Sequence, residues 1–209
     1  YTEIKIAVPD NAKRVFAEKI NSKILIACSM EITDNTLYLA DISVERLMQE
    51  YGSPLYVYEE SVLRSQFRQL SSGFPQGLLE IHYSMKANSN PSLLKILLEE
   101  GSSIDAVSEF EVRLALESGF EPQQIIFTGN NNTLAEIEFC VEQNVAVNLG
   151  SLALLEIYGQ RYPQTTVSVR VNPGIGAGHH SHCITGGPDS KFGIYHDQIE
   201  NAFALAKKY

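Results

Sequence analysis

Between residues 79 and 171, short β-rich runs alternate with amphipathic helical stretches, with runs at 81–85, 104–107, 125–128, 145–148 and 166–171. Strands joined by helices of this length must lie parallel, with each crossover returning right-handed. The intervening helices carry their own punctuation. Asn90-Pro91 opens one, with Leu93, Leu94, Leu97 and Leu98 facing inward and Gly101 ending it. Ser108 to Glu111 fits a capping box before a helix that stops at Gly119. Thr133 and Glu136 form a second box, with Leu134, Ile137 and Val141 inward, and residues 152–158 make the next helix. A glycine-rich loop over 172–193 precedes a last helix marked by Ile199, Phe203 and Ala206. An eight-stranded α/β barrel needs about 250 residues, so five strands do not close one. An open doubly wound sheet, or a barrel whose remaining strands lie beyond Tyr209, both satisfy the pattern.

The N-terminal residues read differently. Runs at 4–8 and 24–28 are strand-like, with a helical stretch over 12–20 between them. Residues 37–40 form a further strand, 43–51 a helix ending at Gly52, and 55–58 a strand. A helix over 61–70 follows, with Leu63, Phe67 and Leu70 on one face.

The formal net charge of -9 repels phosphate backbones and anionic lipid, which argues against nucleic-acid or membrane-surface partners. No apolar run approaches the roughly 20 residues needed to cross a bilayer. The start at Tyr1 has neither an initiator Met nor a signal-peptide pattern, so we expect a piece cut from something longer. Cys28, Cys140 and Cys183 lie far apart and are odd in number, which fits neither a disulfide framework nor a metal site and suits a reducing cytosol.

Lys86 stands at the C-terminal end of an apolar strand, the end where parallel α/β folds build their active sites. On position alone it reads as a surface lysine. Partial desolvation there would instead lower its pKa and suit it to condensation with an aldehyde. His179, His180 and His182 invite a metal, but no acidic or cysteine partner sits at a recognisable interval, so no metal is assigned. Seven glycines or prolines between 173 and 188 point to a mobile flap. Gly174, Gly176 and Gly178 follow a strand but open no helix, so they are not a phosphate loop.

Six segments carry a specific resemblance. Tyr51-Gly52-Ser53-Pro54-Leu55-Tyr56-Val57-Tyr58, Tyr83-Ser84-Met85-Lys86-Ala87-Asn88 and Ile104-Asp105-Ala106-Val107-Ser108-Glu109-Phe110-Glu111 come first. Phe127-Thr128-Gly129-Asn130-Asn131, Val169-Arg170-Val171-Asn172-Pro173-Gly174 and the histidine-bearing loop ending Ser190-Lys191-Phe192-Gly193 follow. In order and spacing they resemble the diaminopimelate decarboxylase family, over about residues 37–209.

The resemblance implies an α/β fold, a (β/α)8 TIM-like barrel of alanine-racemase type present only in part, with N-terminal strands belonging to a separate β-domain. Residues 1–35 would be an extension without an assigned role. Residues 36–58 would contribute to the β-domain and lead into the barrel, and 59–209 would be the N-terminal part of the barrel that binds pyridoxal 5'-phosphate. Lys86 would hold that cofactor as a Schiff base. Asp105 and Arg170 would end strands facing the same cavity and contact the cofactor; a buried or rim ion pair is their plainer reading. His179, His180 and His182 would lie on a loop at the active-site mouth. Glu111 also matches, but its capping role already accounts for it.

The implied reaction is decarboxylation of meso-2,6-diaminopimelate to L-lysine by a cytoplasmic homodimer with shared active sites. Related members act on ornithine, arginine or carboxynorspermidine, and the same barrel occurs in non-catalytic pyridoxal-phosphate-binding proteins. In the family, the phosphate-gripping turn, the carboxylate on the pyridine nitrogen, the histidine on the ring, the substrate arginine and a cysteine from the partner subunit come later in the sequence. The piece alone is therefore expected to be inactive.

Overall fold

The computed structural model describes residues 4–5, 15–18, 30–75, 77–176 and 184–209. The chain divides into two compact units, Tyr1–Ile81 with Ser92–Gly101, and His82–Pro91 with Ser102–Tyr209.

In the first unit, β1 (Ile4–Lys5), β2 (Val15–Glu18) and β6 (Tyr56–Glu59) make an antiparallel sheet in that order. The helix expected over 12–20 is thus a strand at 15–18: its Val-Phe-Ala sequence suits a pleated ladder, and pairing with β6 decides the conformation. The run expected at 24–28 lies outside the described residues. A meander follows, β3 (Met30–Thr33), β4 (Thr36–Leu39) and β5 (Ile42–Ser43). Helix α1 (Val44–Tyr51) starts where the Ser43 hydroxyl accepts from Arg46 N–H at 3.2 Å, and it ends at Gly52 with φ +80°. Its buried Leu47 and Tyr51 pack with Leu39, Ile42, Leu55 and Val57.

Helix α2 (Glu60–Ser72) buries none of its residues fully, and Leu70 is exposed. Charge joins it to α3 (Pro91–Glu99). Arg64 Nη1 donates to Glu100 Oε1 at 2.8 Å and Arg68 Nε to Glu100 Oε2 at 2.6 Å, while Arg64 also pairs with Glu60 and Glu99. The hydrogen bond from Arg68, helped by Arg64 and opposed by burial, holds the Glu100 carboxyl below its ordinary 4.5.

The second unit is built on β7 (His82–Ser84), β8 (Ser103–Ala106), β9 (Ile125–Phe127), β10 (Ala146–Leu149) and β11 (Ser168–Val169). All are parallel and each pairs with its neighbour in sequence. A doubly wound sheet reverses its strand order at a switch point, whereas a barrel runs in one direction. The unbroken order settles the alternative left open above in favour of a partial barrel.

The helices α4 (Glu109–Glu117), α5 (Leu134–Glu142) and α6 (Leu152–Arg161) begin alike. The hydroxyls of Ser108, Thr133 and Ser151 accept from the N–H three residues on. Thr133 and Glu136 complete the reciprocal box. Glu111 instead reaches one residue further back, to Val107 N–H at 2.7 Å. Ile137 and Cys140 carry the buried face of α5, while Leu134, expected inward, is 40% exposed. Burial pushes the Cys140 thiol up to about 12, with the nearby Glu109 and Glu136 adding to it.

The strand sequence continues past the five. β12 (Val171–Asn172) pairs in parallel with β13 (Ile194–Tyr195), a strand the sequence reading left unassigned. The last helix, α7 (Ile199–Lys208), buries Ala202 rather than Phe203, which is 66% exposed.

The described part of the 173–193 loop is fastened by one side chain. Asn172, 1% exposed, accepts from Gly174 N–H and Gly187 N–H, both at 3.0 Å, and donates to Gly187 O at 3.1 Å. The flap expected there is therefore pinned near both ends.

Two outcomes follow from these contacts. Glu100 has a lowered folded-state pKa, so its contribution is present above 4.5 and is lost as pH falls through the folded value. Urea midpoints measured from pH 7 to pH 3 should place Glu100→Gln below the native protein at pH 7, with the gap closing in acid. Asn172→Ala strands the N–H groups of Gly174 and Gly187, while Gly187 O keeps Ser190 N–H, and denaturant titration should register a loss of about 2–4 kcal/mol.

Candidate functional site

The two faces of the parallel sheet differ in chemistry. Ile104, Ala106, Ile125, Phe127, Val147 and Leu149 are buried, with α4 lying against β8 and β9 and α5 against β10. The alternate residues Ser84, Asp105, Ile126 and Asn148 are only half-buried, and Ala146 is exposed. Strand side chains alternate, so polar and small residues line the face opposite the helices.

Lys86 follows β7 in a tight turn. Ala87 N–H donates to Ser84 O at 3.1 Å, Met85 is 1% exposed, and Tyr83 Oη donates to Asn88 O at 3.0 Å. Asn88 Oδ1 accepts from Asn90 N–H at 2.9 Å, just before α3. The apolar anchor and the turn fix the backbone that carries the amine. The partial desolvation expected of Lys86 is not found: it is exposed, in the turn beyond β7. Among the described residues, no hydrogen bond or ion pair engages its amine.

Asp105 lies directly across the ladder from Ser84. The Ser84 hydroxyl donates to Asp105 Oδ2 at 2.9 Å, and the Thr128 hydroxyl donates to Oδ1. Each neighbouring strand thus supplies one hydroxyl, and each carboxylate oxygen has its own donor. Sequence reasoning missed Ser84 and Thr128. The available signal was Ser84 lying two residues before Lys86.

Arg170 sits where the ladder changes partners. Its N–H donates to Leu149 O at 2.8 Å, and its carbonyl accepts from Ile194 N–H at 2.7 Å. The guanidinium lies over the Phe192 ring, 4.5 Å from its centroid. Among the described residues no ion pair joins Asp105 to Arg170, so the plainer reading of these two as partners does not hold. His179, His180 and His182 lie outside the described residues.

The turn after β9 is held by a close backbone approach. A Cβ on Gly129 would come within 2.9 Å of Val107 O, and Asn132 Nδ2 donates to Gly129 O at 2.9 Å. Lys86, Asp105, Thr128 and Arg170 therefore sit at or just beyond the C-terminal ends of β7, β8, β9 and β11. Among the described residues no helix is long and apolar enough to cross a membrane.

The family model described as pyridoxal-dependent decarboxylase, pyridoxal binding domain matches residues 60–209. The diaminopimelate decarboxylase of Methanothermobacter thermautotrophicus is 39% identical over 85% of this chain and 42% of its own length. That of Staphylococcus aureus is 40% identical over 82% of this chain and 41% of its own. The chain thus spans about two fifths of the curated relatives it matches. Helicobacter pylori diaminopimelate decarboxylase, solved in complex with L-lysine, superposes with a TM-score of 0.67 at 32% identity, covering 72% of this chain and 40% of that one. An arginine decarboxylase of Paramecium bursaria Chlorella virus shares the fold at TM-score 0.58 and 22% identity, covering 71% of this chain and 38% of that one. With strand order, helix caps and family match in agreement, the chain belongs to the pyridoxal-dependent decarboxylases, and residues 60–209 are the N-terminal part of their alanine-racemase-type barrel.

Proposed function

We propose that the protein decarboxylates meso-2,6-diaminopimelate to L-lysine, with Lys86 holding pyridoxal phosphate. The observation that carries this is the Lys86 amine, exposed just past a strand's C-terminal end and unengaged among the described residues. The relatives at 39% and 40% identity favour diaminopimelate over ornithine, arginine or carboxynorspermidine.

The residues suit the cofactor. An aldehyde needs an accessible amine, and Lys86 offers one. The open end of the sheet leaves room: a Cβ on Gly150 would meet nothing nearer than 3.8 Å. The bound cofactor supplies an electron sink for the pair left when the carboxylate departs as CO2. Lys86 presents the amine that anchors it. Asp105, held by Ser84 and Thr128, places a fixed negative charge on the same face. Arg170, stacked on Phe192, presents a permanent cation at the end of β11.

The loop bearing His179, His180 and His182 is assigned to the mouth of the site, and residues 36–58 to the β-domain and the approach to the barrel. A cytoplasmic homodimer with shared active sites completes the proposal.

The test is CO2 release from the full-length protein with pyridoxal phosphate and diaminopimelate, ornithine or arginine in turn. Release from diaminopimelate is expected; release from ornithine alone overturns the substrate. Lys86→Ala should abolish the absorbance band of bound cofactor and lower turnover on the order of a thousandfold or more. A band that survives the substitution removes Lys86 from its role.

A further inference from the structure

Two guanidiniums of the second unit lie over phenyl rings, and they differ in what their N–H edges meet. Arg113 lies 3.9 Å from the Phe139 ring centroid, and its Nε and Nη2 both donate to Glu109 Oε1, at 2.9 and 2.6 Å. Arg170 lies 4.5 Å from the Phe192 centroid, and Lys191 Nζ comes to 5.5 Å from the same ring. Among the described residues neither Arg170 nor Lys191 pairs with a carboxylate, although Asp189 stands two residues before Lys191. With 25 acidic residues against 16 basic ones, the chain does not lack acids to place there.

The ring beneath Arg170 is held by its own turn. Ser190 Oγ donates to Thr185 O at 2.9 Å and accepts from Phe192 N–H at 3.2 Å, and Ser190 N–H donates to Gly187 O at 3.2 Å. Tyr195 Oη fastens the same turn by donating to Pro188 O at 2.5 Å. Gly193 brings the chain straight back to the ladder. Its φ is +82°, and a Cβ there would lie 2.9 Å from Asn172 N and 3.0 Å from Arg170 O. Ile194 N–H then donates to Arg170 O at 2.7 Å. The ring and the backbone of the arginine above it are thus fixed to each other within two residues.

We propose that Phe192 is a positioning residue, seating the Arg170 guanidinium by its face so that its N–H edge is oriented to take an oxyanion of a bound ligand. The inference rests on the reading of Arg170 as a ligand-contacting residue. An arginine without an ion-pair partner loses rotamer freedom when a ligand engages it. A ring under its plane restricts the side chain beforehand and leaves free the donors that match two oxygens side by side. Phe139, Arg113 and Glu109 show the same division within this chain, with the face on a ring and the edge on a carboxylate. Pyridoxal phosphate and an amino-acid substrate both carry oxyanions of this kind, a phosphate in one and carboxylates in the other. Lys191, drawn to the same ring, adds a second positive charge that favours an anion there.

The test uses the full-length protein. Affinity for pyridoxal phosphate is read from its bound absorbance, and KM for diaminopimelate is read at saturating cofactor. Arg170→Gln should weaken one of the two constants, the first if the oxyanion belongs to the cofactor and the second if it belongs to the substrate. Phe192→Leu keeps an apolar side chain but removes the ring, and should weaken that same constant by about tenfold, while Phe192→Tyr should keep it near its native value. On an Arg170→Gln background, Phe192→Leu should add less than about a twofold loss, because the seat acts only through the arginine. A general packing defect would cost as much on either background. Equal losses on both backgrounds, or no loss in Phe192→Leu where Arg170→Gln shows one, overturn the inference. An Arg170→Gln protein unchanged in both constants overturns instead the reading of Arg170 beneath it.

Discussion

The structure depends on a parallel ladder whose two faces have been given different tasks. Parallel sheets are normally covered on both sides. Here Ile104, Ile125, Phe127, Val147 and Leu149 are sealed beneath helices, while Ser84, Asp105, Thr128 and Asn148 occupy the alternate positions. A period of two lets one strand serve both purposes without conflict. Register then does the rest: with Ser84 opposite Asp105 and Asp105 opposite Ile126, residues remote in sequence form rows across the sheet.

Helix caps make that register reproducible. Ser108, Thr133 and Ser151 each stand a few residues after a strand and start the returning helix at a defined point. Each cap is worth about 1 kcal/mol, little beside core burial. Its larger effect is geometric, because it fixes where the strand's C-terminal end releases the chain. Lys86 leaves β7 in a turn of its own. Its turn is set by the buried Met85 and by the bond from Ala87 N–H to Ser84 O.

The tandem strands and the Thr133–Glu136 box were legible because period and capping are local properties. Strand order was not, since an open sheet and a barrel share the same strand–helix alternation. β13 escaped notice because two residues hold no periodicity; Ile194 joins the ladder by pairing with Val171, its N–H donating to the carbonyl of Arg170. Residues 15–18 went wrong for a related reason: their partner, β6, lies some forty positions away. At the site, Lys86, Asp105 and Arg170 stood out by charge at strand ends. Ser84 and Thr128 did not, because a hydroxyl has no signature until its acceptor is known.

The exposure of Lys86 bears on how its reactivity is controlled. Desolvation of a lysine comes from what closes over it, and in the turn beyond β7 Lys86 is exposed. Charge placement is different, because it is already complete within three adjacent strands. The Asp105 carboxylate is held by hydroxyls from β7 and from the turn after β9. Hydrogen bonds between neighbouring strands form with the sheet itself. On this account the position of the Asp105 charge is established by the ladder, independently of what covers Lys86.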